Sequence, residues 1–361
     1  MKTTKSFKSK AIILAFLISG FTFIQSCSKD DNNAVALDKT KLSALITSST
    51  ATANGSVEGS AQDQYVIGSV AALQASISLA TSVLNSSTST QVQIDNAVIA
   101  LNQAVILFGT KKIVPIDAAN LVGQWTFDEG SGTTAKDYSG NNRNGTFGSA
   151  MAGLGGPAAG VIGNAVPTWT TDRYGNAKKA IAFDKGAKIT IPYASALNPQ
   201  KMSLSLWVNA AEKKAGNRMI GLRSWIGFKF ELQDGNLPFF TANTSAGTYD
   251  RDDAGTALDV NKWYHLVVTF GDGKNTFYIN GVSVKSWDNT PGTLMAVTGH
   301  DLVFGVDSSQ YAATTTNFDT DKIIPAEWGG FFHGSLDEVR MYKSVLSDSQ
   351  AKSIYDAEKA P

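Results

Sequence analysis

The hydrophobic period of this chain changes once, at Pro115, and that change limits what the chain can fold into. Before Pro115 apolar residues recur at helical steps; after it they alternate. Leu42, Leu45 and Ile46 make a first helical stripe. Leu73, Ile77, Ala80 and Leu84 make a second, and Ile94, Val98, Leu101, Val105 and Phe108 a third. Thr90-x-x-Gln93 reads as a capping box opening the third helix, and Gly109 lies where it should stop. One stripe buries one face, so three such helices must pack on one another. Pro115 cannot continue a helix. Beyond it Leu204, Leu206 and Val208 recur at every second position, as do Ile226, Phe228, Phe230 and Leu232, and Tyr264, Leu266, Val268 and Phe270. Asp234-Gly235, Asp272-Gly273 and Asn280-Gly281 separate such runs and accept the positive φ that tight hairpins need. Strands joined by hairpins without long helices between them give an antiparallel sandwich. Ser347-x-x-Gln350 opens a short closing helix.

The N-terminal stretch has a different character. Lys2, Lys5, Lys8 and Lys10 precede an apolar run from Ala11 to Ile24, too short to span a bilayer as a helix and suited to a secretory signal. Ile24-Gln25-Ser26-Cys27 resembles a loose bacterial lipoprotein box. That resemblance implies lipidation of Cys27, the only cysteine, as the mature N-terminus, and a membrane attachment through acyl chains alone. Ser28-Lys29-Asp30-Asp31 resembles the signal that sends some lipoproteins of Gram-negative bacteria to the outer cell surface. The expected location is the outer membrane, surface-exposed. With Cys27 taken by lipid, disulfides and cysteine-based metal sites are excluded. Charge is balanced, 31 basic against 31 acidic, so nothing recruits nucleic acid. No second run reads as apolar enough to span a membrane.

Two further resemblances divide the chain. Residues 38–113, with Tyr65, Leu73-Gln74-Ala75-Ser76-Ile77 and Gln91-Val92-Gln93-Ile94-Asp95-Asn96-Ala97, resemble the FIVAR helical repeats of bacterial surface proteins and are expected to act as a spacer. Residues 1–26 are then the signal and 27–37 a tether. Residues 116–357 resemble the LamG-like, concanavalin A-like jelly-roll family. The residues that carry this are Leu121-Val122-Gly123-Gln124-Trp125 with Asp137-Tyr138-Ser139-Gly140-Asn141-Asn142, Ala180-Ile181-Ala182-Phe183-Asp184, Trp263-Tyr264-His265-Leu266, and Gly334-Ser335-Leu336-Asp337-Glu338-Val339-Arg340. The resemblance implies two antiparallel sheets packed face to face. The fold class is therefore an all-α three-helix bundle followed by an all-β jelly-roll sandwich.

Fold does not give function, so the sites need their own argument. The turn holding Asp137, Asn141 and Asn142 could aim oxygens at one calcium ion, which needs six to eight. One carboxylate is too few, and the resemblance suggests Asp337 as the second, the first and last strands being neighbours. Asp250-Arg251-Asp252-Asp253 reads as a solvated acidic loop, and His265 as structural. Sugars bind flat aromatic faces beside hydrogen-bonding groups. The aromatics off the core strands are Trp328, Tyr311, Trp169, Trp225, Tyr249 and Trp287, the first two within a long stretch before the last family motif. Trp207 has the parity of the outer face and is expected to lie under a covering loop. A glycosidase needs two carboxylates facing one cleft. Glu231-x-x-Asp234 is the nearest approach, and adjacent pairs such as Asp337-Glu338 should point to opposite faces. The expectation is a non-enzymatic carbohydrate binder that captures polysaccharide, with protein partners in an uptake system. A protein-binding adhesin and a glycoside hydrolase with an atypical site are the alternatives.

Overall fold

The computed structural model describes residues 36–59, 63–149, 165–214, 216–252, 255, 257–306 and 330–359. Cys27, Tyr311 and Trp328 lie outside the described residues. Three helices come first: α1 (Thr40–Asn54), α2 (Ser69–Asn85) and α3 (Gln91–Gly109). The expected stripes form their common core, in which Leu42, Leu73, Ile94, Leu101 and Phe108 are buried. Thr90 and Gln93 exchange both hydrogen bonds of the capping box. Contrary to the sequence reading, α3 is long and apolar enough, by length and composition, to cross a membrane. Only one of its faces is packed.

Among the described residues sixteen strands follow. They begin with β1 (Leu121–Trp125), β2 (Thr134–Ala135), β3 (Gly145–Ser149), β4 (Thr168–Thr170), β5 (Ala180–Phe183) and β6 (Ala187–Ile191). The middle of the domain is β7 (Met202–Ala210), β8 (Asn217–Leu222), β9 (Phe228–Gln233), β10 (Leu237–Thr244) and β11 (Gly247–Asp252). Then come β12 (Trp263–Gly271), β13 (Lys274–Ile279), β14 (Val282–Trp287), β15 (Leu302–Phe304) and β16 (Gly334–Tyr342), closed by α4 (Asp348–Glu358).

The strands form two antiparallel eight-stranded sheets. The first runs β14-β13-β12-β7-β16-β5-β4, with β1 also pairing β16; the second runs β11-β10-β9-β8-β15-β6-β3-β2. The first and last strands are therefore neighbours, as expected. Leu204, Leu206, Phe228, Phe230, Leu266, Val268 and Phe304 meet in one core between the sheets. Hairpins turn at Asp272-Gly273 and Asn280-Gly281, all four residues at positive φ. In the β9–β10 turn the positive φ falls one residue later than the sequence suggested, on Gly235 and Asn236. Asp250, Arg251 and Asp252 belong to β11 and pair with β10, where a solvated loop was expected. An edge strand tolerates such charges because its outer side meets water.

The joint between bundle and sandwich is pinned. The Val114 amide donates to Ser353 Oγ at 2.7 Å, and Gln350 Nε2 donates to Pro115 O at 2.8 Å. Helix α4 thus holds the linker as well as the first sheet.

Candidate functional site

The outer face of the second sheet is the first place where polar chemistry concentrates. Phe228, Phe230 and Leu232 of β9 point inward, so Lys229, Glu231 and Gln233 point out. Register sets Arg218 of β8 and Phe239 of β10 beside Glu231, and Thr241 beside Lys229. Glu231 is fully buried and pairs with Arg218, with Lys229 Nζ at 2.8 Å, and with Gln233 Nε2 at 2.6 Å. Two cations and an amide converge on this one carboxylate and fix it within the sheet. The Trp225 ring lies against this cluster, 3.8 Å from Lys229 Nζ and 5.3 Å from the Arg218 guanidinium. Trp225 remains 39% exposed. Thr241 hydrogen-bonds Asp250 alongside.

A second cluster sits where edge strands β11 and β14 approach. The Arg251 guanidinium is 5.1 Å from the rings of both Tyr249 and Trp287. It also donates to Thr290 Oγ1 at 3.1 Å and to Asn289 O at 2.6 Å. Trp287 Nε1 donates to Asp252 O at 2.8 Å. Of the aromatic candidates, the structure brings Tyr249 and Trp287 together and sets Trp225 on the sheet face. Trp169 packs on Phe147 and donates to Gly132 O at 3.0 Å, closing the edge of the core.

The calcium candidates are used otherwise. Asp137 Oδ1 accepts from the amides of Gln124 and Ser139, and Oδ2 from the amide of Arg143. Burial pushes its carboxyl up, but these hydrogen bonds outweigh it and hold Asp137 below the usual range. Asn141 Nδ2 donates to the carbonyls of Leu121 and Val122, and Asn142 takes a positive φ of 57° in the turn. Asp337 instead pairs with Arg173. The donors aimed at the Asp137 and Asp337 carboxylates are N–H groups, which a shared cation would have to displace. Among the described residues no group of three or more His, Cys, Asp or Glu side chains is placed to hold a metal.

Asp337 belongs to a buried network on the outer face of the first sheet. Opposite Asp337 and Arg340 of β16 stand Trp207 and Ser205 of β7, so β16 carries one extra residue. Glu338 takes φ 50° there. This bulge brings Asp337 and Glu338 into one network, against the alternation argument from sequence. Arg340 pairs with Glu338 at 2.8 Å and with Glu358 of α4, and Trp207 Nε1 donates to Glu358 at 2.8 Å. Arg173 and Glu358 carried no sequence signal for this role; only the docking of α4 reveals it. Burial pushes Asp337 up to about 8, with Arg173 opposing, and Glu338 up to about 7. Beside the network, Glu338, Arg340, Arg173 and Tyr174 line a cavity of about 650 Å³ whose other wall includes Ile113 and Ile116. His265, next to Trp207, bonds Ser205 Oγ at 2.9 Å, and burial holds its ring down to about 4, in keeping with a structural role. Helix α4, rather than a loop, covers Trp207: the Tyr355 ring stacks 5.8 Å from it.

Residues 183–352 match the family described as Concanavalin A-like lectin/glucanases superfamily, of laminin G type. This stretch runs from the end of β5 into α4. Among solved structures, the chain is similar to domain 4 of AbnA, an extracellular arabinanase from Geobacillus stearothermophilus, in complex with arabinotriose. That likeness has 22% identity and a TM-score of 0.47, over 65% of this chain and 98% of that one. It is also similar to the binding domain of Paraclostridial Mosquitocidal Protein 1, with 16% identity, a TM-score of 0.47, and coverage of 66% and 52%. The binding domain of botulinum neurotoxin serotype D gives 14% identity, a TM-score of 0.44, and coverage of 67% and 52%. This chain thus spans about half of each toxin domain. No curated protein sequence matches it.

Proposed function

We propose that this protein is a surface lipoprotein, anchored through Cys27, whose sandwich captures carbohydrate without cleaving it. The observation that carries the binding site is Trp225. A half-exposed indole is braced by a buried Arg218–Glu231–Lys229 cluster, which fixes it without hiding it. A pyranose presents an apolar C–H face to such a ring and hydroxyls to the polar groups beside it. The match of residues 183–352 to a lectin and glucanase superfamily supports the same class of ligand. The commitment of Glu231 to two cations favours binding over hydrolysis, which needs a carboxyl poised to give or take a proton. The FIVAR-like bundle raises the sandwich from the membrane, and partners in polysaccharide uptake would receive the captured chain.

The test is a glycan array probed with the purified protein, followed by calorimetry on the hits. Binding should be weak, roughly micromolar to millimolar, because an open site offsets little of the ordering cost. It should change little with salt. A protein that binds no glycan but retains a protein from the same surface would replace this reading with the adhesin one.

A further inference from the structure

We propose that the helical bundle lies on the lipid surface to which Cys27 is anchored and meets it with the solvent side of α3. This rests on the anchor reading above. Helix α3 is apolar on opposite sides. Ile94, Leu101 and Phe108 fill the bundle core. Val92, Ile99 and Ile106 recur every seven residues on the other side and are 67%, 56% and 69% exposed. Seven residues are two helical turns, so the three side chains form one stripe. Leu107 on the same helix and Leu79 on α2 are also exposed. So many large aliphatics on so small a module mark an interaction surface.

Charge indicates what covers it. Helix α2 contains no ionisable residue, and α3 contains only Asp95. There is nothing here for an ionic partner to recognise, whereas the hydrocarbon boundary of a bilayer asks only for apolar area. A second copy is less well served. With Val92, Ile99 and Ile106 at the a positions of a paired helix, the d positions fall on Asp95 and Asn102, which buries an acid in the seam, whereas at a lipid surface the same flanking acid stays among headgroups and water.

Reach points the same way. Fully extended, the chain from Cys27 to Lys39 spans at most about 40 Å, so an anchored bundle stays at the membrane. Tethering makes docking intramolecular, with an effective concentration on the order of millimolar, and a face too weak to bind vesicles strongly by itself suffices. Because α4 pins the linker through Ser353 and Gln350, a docked bundle would also fix how the sandwich is presented.

The experiment uses the mature lipidated protein on dioleoylphosphatidylcholine vesicles. Cys27 is the sole natural cysteine, so Ile99→Cys accepts one environment-sensitive fluorophore, with Ser286→Cys on β14 as the control. The Ile99 probe should shift to the blue and lose roughly half its intensity when brominated lipid replaces the normal lipid, while the Ser286 probe does neither. Added salt should not reverse the effect. An Ile99 probe that keeps its emission in water overturns the proposal. So does quenching that follows protein density and ignores brominated lipid, since that identifies a second copy. If Cys27 itself takes label, the anchor reading has failed. The docking proposal then falls with it, whereas an unlabelled Cys27 with an Ile99 probe that stays in water overturns docking alone.

Discussion

Trp207 and Trp225 invite comparison because they are built alike and end differently. Trp207 projects from the outer side of β7 and Trp225 from the short 3-10 turn Ser224–Ile226 between β8 and β9, and each has a cation against its ring: Arg173 at 4.9 Å from Trp207, Lys229 at 3.8 Å from Trp225. On the first sheet the cation belongs to a network that fastens α4 over the tryptophan, leaving it 4% exposed. On the second sheet the cation is paired within the sheet, and the tryptophan stays half open. Buried charge therefore does opposite jobs on the two faces. It closes one around a helix and stiffens the other beneath an exposed ring. The difference lies in how far each network reaches: Arg173 pairs with Asp337 of β16 and also donates to the Glu358 carbonyl of α4, which ties in a separate helix, while Lys229 pairs with Glu231 two residues away on the same strand.

The largest expected effect separates the two tryptophans by stability. Trp207→Ala should cost about 3–5 kcal/mol, the usual range for emptying a large buried aromatic site. Denaturant unfolding measures this. A loss as small as that of a surface substitution would show that α4 does not depend on Trp207.

The next test uses pH. His265 sits beside Trp207 with its ring held down to about 4 by burial, against an ordinary value of 6.5. Its contribution is whole above 6.5 and is lost as pH falls through 4, because the unfolded chain takes up the proton first. The stability difference between the natural protein and His265→Gln should shrink by roughly 3 kcal/mol over that interval. Asp337, pushed up to about 8, has the opposite sign: its contribution is whole below 3.8 and is gone once pH rises through about 8. Asp337→Asn should therefore flatten the alkaline limb, and an unchanged limb would remove Asp337 from the account.

Trp225→Ala should reverse the pattern of Trp207. Its stability cost should stay below about 1 kcal/mol, the range of exposed sites, while glycan affinity falls about tenfold or more. Calorimetry and thermal melting on one sample give both numbers. Unfolding of the variant would make Trp225 a cap of the core and move the binding site to the Tyr249–Arg251–Trp287 cluster.

The smallest expected effect is none. A chelator should leave the melting temperature unchanged, since amides already occupy the Asp137 carboxylate. A fall of several degrees, abolished by Asp137→Ala, would restore the ion that the sequence suggested.

Much of this was legible before the structure. The steps of three and four in Ile94, Val98, Leu101, Val105 and Phe108 fix which face of α3 enters the core, because local geometry alone sets that period. The alternation through Leu204, Leu206 and Val208 does the same for β7, and with it the outward parity of Trp207. Both capping boxes formed, each needing only residues three apart. The turn positions were right to within a residue, since Gly, Asn and Asp accept positive φ wherever they stand.

Tertiary structure decided what depends on residues far apart. Asp337 and Glu338 share a network because β16 gains one residue against β7, a misfit that no single strand's sequence announces. Asp337 found Arg173, 164 positions earlier, in place of Asp137, because the two carboxylates serve different neighbours. The aromatics were identifiable as types, yet only the meeting of β11 and β14 put Tyr249 and Trp287 on one guanidinium. The sequence by itself determined the periods, and through them the bundle, the sandwich and the inward faces. Which outward residues meet, and whether they are covered, was settled by register and by the docking of α4, because those depend on pairing energies summed across the whole fold.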